Sequence, residues 1–400
     1  MRRLAIGVLL VLALHGQTSS LVDQAQAAFR AGDLDRAAGI AQRAITQNPG
    51  SANAHLILGI IAGQRQQWEA AAVHLQTVVK LSPTNPHGYF YLGQAKLYQR
   101  QWSGAAQYLG KALQLDYPDK DRLLVELAFA ENETGRPQLA LEHLKQIRDP
   151  GAYAAQYHAV TAFAQSRLQH YPEAIAAIRS ACELEPRDSQ YWEFLISTLI
   201  GTDQTQVALS EAIRAQAIFP DDPEIQYLFA LTSYYVSESP LSGLALRNVE
   251  EAAPGSPKAR LAAGLLHRKE GRIEEATQAF LQAAKLGVPD SHALLGIIYR
   301  EQGNAAAAEQ EFRQAEQANP NNAQVLLELG KIALARGEVN AALTRLSRAV
   351  ALMPANSPAH YQLGLAYSRS GQKDKANEQF DLSRELDRQQ AELQGSSRRR

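Results

Sequence analysis

The sequence predicts an all-α solenoid of about eleven stacked helix pairs. Three observations support this fold class: a small residue recurs at a nearly constant period, apolar residues within each period follow helical spacing, and prolines separate the periods. A unit of this length buries its apolar face only by stacking on neighbouring units. The composition, 46% hydrophobic and 20% charged, is typical of a folded soluble chain.

The period is defined by eleven alanines that are spaced 31 to 37 residues apart, most often 34. Twelve residues before most of them stands a second small residue, such as Gly59 or Ala128, although Ile196 takes this place in one unit. We expect small residues here because paired helices must approach closely. The alanines are Ala37, Ala71, Ala105, Ala140, Ala174, Ala208, Ala245, Ala276, Ala308, Ala342 and Ala376.

Each unit is predicted to contain two short helices joined by a turn. In the last unit, Gly364 belongs to the first helix, Gly371 ends it, and Phe380 lies on the apolar stripe of the second helix. A glycine in this turn can adopt the left-handed conformation that ends a helix. The same turn position holds Gly32, Gly271, Gly303 and Gly337.

Prolines are expected to close the units, because proline cannot continue a helix. They stand at Pro49, Pro83, Pro186, Pro220, Pro320 and Pro354. Between Ala230 and Ala245 the usual spacing of twelve residues grows to fifteen, which predicts a lengthened turn over residues 237–243.

This pattern resembles the tetratricopeptide repeat (TPR) family over nearly the whole chain, most clearly over Ala52–Asn85 and Asn322–Pro354. The resemblance implies a right-handed α–α solenoid over residues 18–390. It also implies a concave groove, lined by the first helices, that binds peptide segments of other proteins. Protein or peptide partners are therefore expected, and residues 391–400 are predicted to form a basic, disordered tail.

Twenty of the 28 aromatic residues lie between Pro86 and Val236. Tyrosine and tryptophan dominate binding hot spots, so aromatic residues on the first helices predict a peptide-binding patch, although the same side chains could instead fill gaps in the core. In later units Lys269, Glu301 and Arg369 are expected to fix the register of a partner. The candidate groove residues are Phe90, Gln94, Tyr98, Phe129, Phe163, Arg167, Tyr227, Tyr234 and Tyr235.

No catalytic, metal or cofactor site is expected. The ten histidines are scattered over different units, no His-Glu-x-x-His, phosphate-loop or nucleophile-elbow motif occurs, and the array leaves no room for a catalytic domain. Cys182 is predicted to be a buried packing residue. A formal net charge of −1 argues against a nucleic-acid partner.

The N-terminus has the features of an export signal. Two arginines precede the apolar run Leu4–Leu14, which is too short to span a bilayer. We expect residues 1–17 to be a signal peptide, which leaves a mature chain without a membrane span in the periplasm or secreted; the alternative is an uncleaved segment that holds the chain at the inner membrane. No cysteine follows this run, which excludes a lipoprotein.

The predicted function is that of a non-catalytic adaptor or scaffold that binds partner segments in its groove outside the cytoplasm. The alternative is a structural subunit of an envelope machine for pilus assembly or polysaccharide export. The sequence does not predict the oligomeric state.

Overall fold

Helices account for most of the computed structural model, which describes residues 20–236 and 241–397. These residues form 22 α-helices that pair in chain order, with a 3₁₀ turn at Gly151–Tyr153 and no β-strand. The predicted all-α repeat of about eleven helix pairs is thereby confirmed. The chain divides between Ile218 and Phe219 into two compact units.

The first unit contains six helix pairs, and in each pair the odd-numbered helix is the first helix. Their bounds are α1 Leu21–Arg30, α2 Leu34–Gln47, α3 Ala52–Gln64, α4 Trp68–Leu81, α5 Pro86–Tyr98, α6 Trp102–Gln114, α7 Lys120–Glu133, α8 Pro137–Leu144, α9 Ala154–Arg167, α10 Tyr171–Leu184, α11 Ser189–Gly201 and α12 Thr205–Ile218.

The second unit contains five helix pairs. Their bounds are α13 Pro223–Tyr235, α14 Ser242–Ala252, α15 Pro257–Lys269, α16 Ile273–Lys285, α17 Pro289–Glu301, α18 Ala305–Ala318, α19 Ala323–Ala335, α20 Val339–Leu352, α21 Ser357–Arg369 and α22 Lys373–Ser397.

The helix boundaries follow from local chemistry. Many first helices begin after a capping side chain whose oxygen accepts a backbone N–H of the first turn, as Asn85 does before Pro86 and Asp222 before Pro223. Each second helix that precedes one of the six boundary prolines ends two residues before it; for example, α4 ends at Leu81. The prediction that these prolines close the units is confirmed.

Outside the α13–α14 turn, which includes residues beyond the described ranges, the turn within each pair adopts the predicted left-handed backbone. Gly32, Gly271, Gly303, Gly337 and Gly371 have φ between 76° and 79°. Other units place a non-glycine residue in the same turn with positive φ: Gln66, Arg100, Gln169 and Asp203. The turn geometry is therefore kept even where the sequence lacks glycine, because packing of the two helices outweighs a local cost of about 1–2 kcal/mol.

The small residue of the first helix lies directly under a large side chain of the second helix. A Cβ atom added at Gly59, Gly93 or Gly330 would come within 2.6 Å of Leu75, Leu109 or Leu346, respectively. Gly296 and Gly364 meet Phe312 and Phe380 in the same way, and Gly264 meets Phe280. The large residue always follows the glycine by 16 positions.

Units without this glycine also bury the residues at these two positions, sixteen residues apart. Ala128 on α7 is followed by Leu144 on α8, and Ala162 on α9 is followed by Ile178 on α10. In the sixth pair the sizes are reversed, because Ile196 on the first helix corresponds to Ala212 on the second; both are fully buried. This exchange explains how α11 and α12 pack although the predicted small residue is missing.

Some of the predicted segments fall outside the described structure. The signal segment, residues 1–17, lies outside the described residues, as do residues 237–240 of the lengthened turn and residues 398–400. Helix α22 continues to Ser397, past the predicted start of the tail at residue 391. Within the described ranges, no helix combines the length and apolar character that a bilayer crossing requires.

Alanine substitutions at two glycines of the first pair separate backbone effects from packing effects. Neither Gly32 nor Gly39 has an atom within 4 Å of an added Cβ, but Gly32 has φ +77° whereas Gly39 lies inside α2. Gly32→Ala should lower the free energy of unfolding by about 1 kcal/mol. Gly39→Ala should raise it by about 0.5–1 kcal/mol. Urea unfolding followed by circular dichroism checks both; the same sign for the two variants would contradict the turn assignment.

Candidate functional site

Successive first helices contact one another in the first unit. Each of α1, α3, α5 and α7 contacts the next first helix along the chain, whereas second helices touch mainly the first helices beside them. Residues of adjacent repeats on the first helices therefore lie side by side. This is the arrangement that the predicted groove requires.

A pocket opens among the first helices of the third to sixth pairs. It has a cavity volume of about 130 Å³. Its walls are mainly apolar and aromatic, and its polar groups are few. The lining residues are Gln94, Leu97, Tyr98, Trp102, Arg122, Val125, Glu126, Phe129, Tyr153, Gln156, Ala159, Val160, Phe163, Gln190 and Tyr191.

Aromatic contacts between repeats build the walls. The rings of Trp102 and Phe129 meet edge to face with centroids 5.9 Å apart. Tyr98 stacks on Trp68 of α4 with centroids 4.0 Å apart and an interplanar angle of 7°. Phe163 meets Phe194 of α11 edge to face at 4.7 Å. These contacts hold the rings in place while leaving Tyr98 38% exposed.

A buried ion pair lies on the same helix as Phe129. Arg122 Nε donates to Glu126 Oε1 at 3.1 Å, and Gln94 Nε2 of the preceding repeat donates to the same oxygen at 2.9 Å. The Arg122 and Glu126 side chains are only 6% and 11% exposed. Burial raises the pKa of Glu126 above its ordinary value, although Arg122 and Gln94 oppose this shift.

A second polar contact borders the pocket. Tyr153 Oη donates to Asp119 Oδ2 at 2.7 Å. Asp119 also caps α7, because its Oδ1 accepts the backbone N–H of Arg122. Burial, reinforced by the hydrogen bond to Asp119, raises the pKa of Tyr153 to about 12, so its hydroxyl stays protonated at neutral pH.

Three buried polar atoms of pocket residues have no hydrogen-bond partner. They are Arg122 Nη2, Glu126 Oε2 and Gln156 Oε1. Buried polar groups in folded proteins are nearly always paired, so each orphaned atom calls for a physical account. An apolar pocket with a few converging polar groups is the usual form of a binding site.

Four of the predicted groove residues line this pocket: Gln94, Tyr98, Phe129 and Phe163. Phe90 does not, because it is fully buried in the core, stacked on Tyr117 with centroids 4.1 Å apart. A step of four residues advances 400° around a helix, so positions i, i+4 and i+8 drift by 40° at each step. Exposure accordingly rises from 0% at Phe90 through 8% at Gln94 to 38% at Tyr98.

Arg167 is not among the pocket residues. It lies at the end of α9, where its guanidinium donates to Glu133 of the previous repeat at 2.9 Å. Lys269 and Arg369 play a similar part in the second unit: Lys269 donates to the carbonyls of Ser233 and Val236, and Arg369 donates to the carbonyl of Leu334.

The charged rows of the later repeats therefore tie adjacent first helices together. Glu301 also has a partner within the chain, since Arg268 donates to it at 2.9 Å. Each of these charges therefore has a partner within the chain, and Glu301 and Arg369 also remain exposed, so their contact with a partner protein stays a prediction.

The candidate aromatic residues of the second unit have mixed environments. Tyr227 and Tyr234 pack against a core cluster that includes Leu261 and Leu265, and only Tyr235 is largely exposed, at 48%. The rings of Tyr234 and Tyr235 meet edge to face at 5.4 Å. Burial raises the pKa of Tyr227 to about 12.

Sequence reasoning did not select Arg122, Trp102 or Gln156 as site residues. The available signal was an arginine and a glutamate four residues apart on a first helix, next to aromatic neighbours. Such a pair is usually a solvated surface pair. Only the structure shows that it is buried, because the neighbouring repeats that cover it are 30 or more residues away in sequence.

The cysteine and one pair of histidines also lie within the repeats. Cys182 is buried as predicted, and burial raises its pKa to about 12, which keeps the thiol protonated. His55 and His74 meet across α3 and α4 with Nδ1 atoms 3.1 Å apart, and burial lowers the pKa of His74. The part of the chain that the structure describes contains no group of three or more potential metal ligands.

Comparison with protein families decides the identity of the fold. Two models described as "Tetratricopeptide repeat" match the chain, one over residues 22–86, 91–155 and 261–323 and the other over residues 299–351 and 333–397. The chain belongs to the tetratricopeptide repeat family. Repeats of this family support a protein–protein interaction scaffold.

Comparisons with individual proteins add little to this family assignment. No curated protein matches the chain. Among solved structures, the TPR chain is similar to one in the "Crystal structure of APC/C hetero-tetramer Cut9-Hcn1". The two are 13% identical, the match covers 91% of this chain and 86% of the other, and the TM-score is 0.46.

Removing Arg122 tests the buried ion pair. Arg122→Met leaves Glu126 buried without its cation and should lower the free energy of unfolding by about 3–5 kcal/mol at pH 7. The loss should shrink at pH 4. Because burial raises the folded-state pKa of Glu126 above its unfolded value, the cost of its charge appears as pH rises and vanishes on protonation.

The double variant Arg122→Met/Glu126→Leu is the matched control. It removes both charges at once and should regain most of the lost stability, to within about 1–2 kcal/mol of wild type. Thermal and urea unfolding of the three proteins at both pH values supply the measurement. A single variant that is as stable as wild type at pH 7 would contradict a buried, mutually dependent pair.

Proposed function

We propose that this TPR protein is a non-catalytic adaptor that binds a segment of a partner protein in the pocket on α5, α7 and α9. The observation that supports this most strongly is a cluster of pocket-lining aromatic residues beside a small polar network: Tyr98, Phe129 and Phe163 on adjacent first helices, and Trp102 at the start of the second helix α6. Aromatic side chains of this kind supply large contact areas at low entropic cost.

The shape of the site favours a chain segment over a compact molecule. Most of the lining residues come from four successive first helices, α5, α7, α9 and α11, and therefore follow the stack from one repeat to the next. A partner segment laid across them would contact several repeats in turn. A binding site of this kind needs no chemistry beyond equilibrium association, in keeping with the absence of a catalytic motif from the sequence.

The proposed place of action is outside the cytoplasm, in the periplasm or the extracellular medium. The support is the arginine pair followed by the apolar run Leu4–Leu14. The N-terminal residue of the chain purified from its own cell tests this directly. A start near residue 18 agrees with export and cleavage, whereas an intact Met1 in the cytosol contradicts it.

Peptide selection tests the binding site. We expect the wild-type chain to select peptides from a displayed library of random 12-residue sequences, and synthetic copies should bind with a Kd that fluorescence anisotropy can measure. Phe129→Ala/Phe163→Ala should weaken that binding by about 30-fold or more, because truncating two hot-spot aromatics costs about 2 kcal/mol or more.

Val73→Ala is the matched control, because Val73 is a 62% exposed apolar residue on the second helix α4, away from the pocket. This variant should bind the peptides like wild type, and circular dichroism should show all proteins equally helical. If no peptide is selected, or if the aromatic double variant binds as well as wild type, the pocket is not the recognition surface.

A further inference from the structure

Two histidines of the second pair face each other across the interface of α3 and α4. His55 Nδ1 lies 3.1 Å from His74 Nδ1, and the ring centroids are 5.3 Å apart with an interplanar angle of 43°. Both side chains are only partly buried, and neither lines the aromatic pocket. The histidine pair is therefore a separate cluster of polar groups that solvent can reach.

A hydrogen bond to the backbone fixes which nitrogen of His55 carries the hydrogen. Its Nε2 lies 3.3 Å from the carbonyl oxygen of Pro49, and a carbonyl oxygen can only accept, so Nε2 holds the hydrogen of the neutral ring. The Nδ1 atom then has a lone pair on the side of His74. Histidines that bind metal ions nearly always make such a second hydrogen bond, because it orients the ring and raises the basicity of the ligating nitrogen.

The distance between the two Nδ1 atoms suits coordination of one metal ion. A zinc ion lies about 2.0–2.1 Å from a ligating histidine nitrogen. Two nitrogens that are 3.1 Å apart both reach an ion at that distance when the N–metal–N angle is about 95–102°. His74 must move its hydrogen from Nδ1 to Nε2, a change of tautomer that leaves the ring neutral. The two nitrogens can therefore share an ion without moving apart.

The same contact in other repeats shows what is particular to this pair. His292 and His360, like His55, occupy the fourth position of a first helix, and each contacts the residue 19 positions later. Their Nδ1 atoms lie 2.7 Å from an oxygen of Glu311 and Gln379, respectively. The second pair has a nitrogen in place of that oxygen, and imidazole nitrogen is a preferred ligand of zinc, copper and nickel.

We propose that His55 Nδ1 and His74 Nδ1 together bind one divalent transition-metal ion, with water in the remaining coordination positions. The site is independent of the groove and of the proposed function. Within the described ranges no third histidine, cysteine, aspartate or glutamate joins the pair, so the ion is expected to exchange with solution. A bound ion links α3 to α4 and stabilises the folded chain in proportion to its concentration.

The first test titrates the full-length chain, without an affinity tag, with Cu²⁺ and records electron paramagnetic resonance spectra. Copper is the probe because it binds nitrogen ligands more tightly than the other common divalent metals do, and its spectrum reports coordinated imidazole nitrogens. We expect the first equivalent of copper to show two imidazole nitrogens. A spectrum with one or none overturns the inference, whatever the variants do.

His74→Gln is the matched loss variant. Gln379 occupies the same place opposite His360, so glutamine should fit here and keep the hydrogen bond across the pair. This variant should bind Cu²⁺ about 10-fold more weakly or worse, since loss of a group that merely supports a metal ligand already costs about 10–100-fold. His170→Gln removes an exposed histidine outside the pair and should bind Cu²⁺ like wild type.

Thermal unfolding with Zn²⁺ supplies a second readout. Zn²⁺ should raise the Tm of wild type and of His170→Gln but not that of His74→Gln, because an ion that binds the folded state stabilises it. Mg²⁺, which prefers oxygen ligands, should leave all three unchanged. If wild type and His74→Gln bind Cu²⁺ equally and respond alike to Zn²⁺, the two histidines form only a hydrogen bond and the inference is wrong.

Discussion

The contact on which the structure depends is the one between a glycine of the first helix and a leucine or phenylalanine sixteen residues later on the second helix, which occurs in six of the helix pairs. At these positions there is no room for even one additional carbon atom: an added Cβ would lie 2.6 Å from Leu109 at Gly93 and from Phe312 at Gly296. The large side chain fills the space that the missing Cβ leaves. This contact sets how closely the two helices of a pair approach.

Close pairing has consequences for the site. Because each pair has nearly the same geometry, first helices of successive repeats come to lie side by side, and residues about one period apart become neighbours. Gln94 reaches Glu126, Tyr153 reaches Asp119, and Arg167 reaches Glu133 in this way. The pocket is built from such neighbours, so its polar floor and aromatic walls depend on a regular stack.

Much of the fold could be predicted because its determinants are local and repeated. Turn glycines such as Gly303, boundary prolines such as Pro83 and the small residues of the first helices each act within a few residues of their position, and their period reveals the rest. Ile196 is the exception: it is large where other first helices have a small residue, and the small Ala212 on the second helix makes room for it. Only a comparison of both positions could have shown this.

The site was harder to predict because its features depend on burial by distant repeats. Tyr98, Phe129 and Phe163 could be selected from helical spacing, but the same spacing also selected Phe90, which the drift of four-residue steps turns into the core. The charges on Lys269 and Arg369, which were expected to fix the register of a partner, bond carbonyls of the preceding first helix, a contact that the sequence did not predict. Charge type alone did not reveal which partner a side chain has.

The most direct measurement of the central contact is a double-mutant cycle at Gly330 and Leu346, a pair at which the added Cβ would lie 2.6 Å from the leucine side chain. Gly330→Ala should cost about 1–3 kcal/mol through overpacking, and Leu346→Ala about 2–5 kcal/mol through the cavity. The double variant should lose at least about 1 kcal/mol less than the sum, because each change relieves the other. Losses that add to within about 0.5 kcal/mol would show that the two positions do not set the approach of the helices.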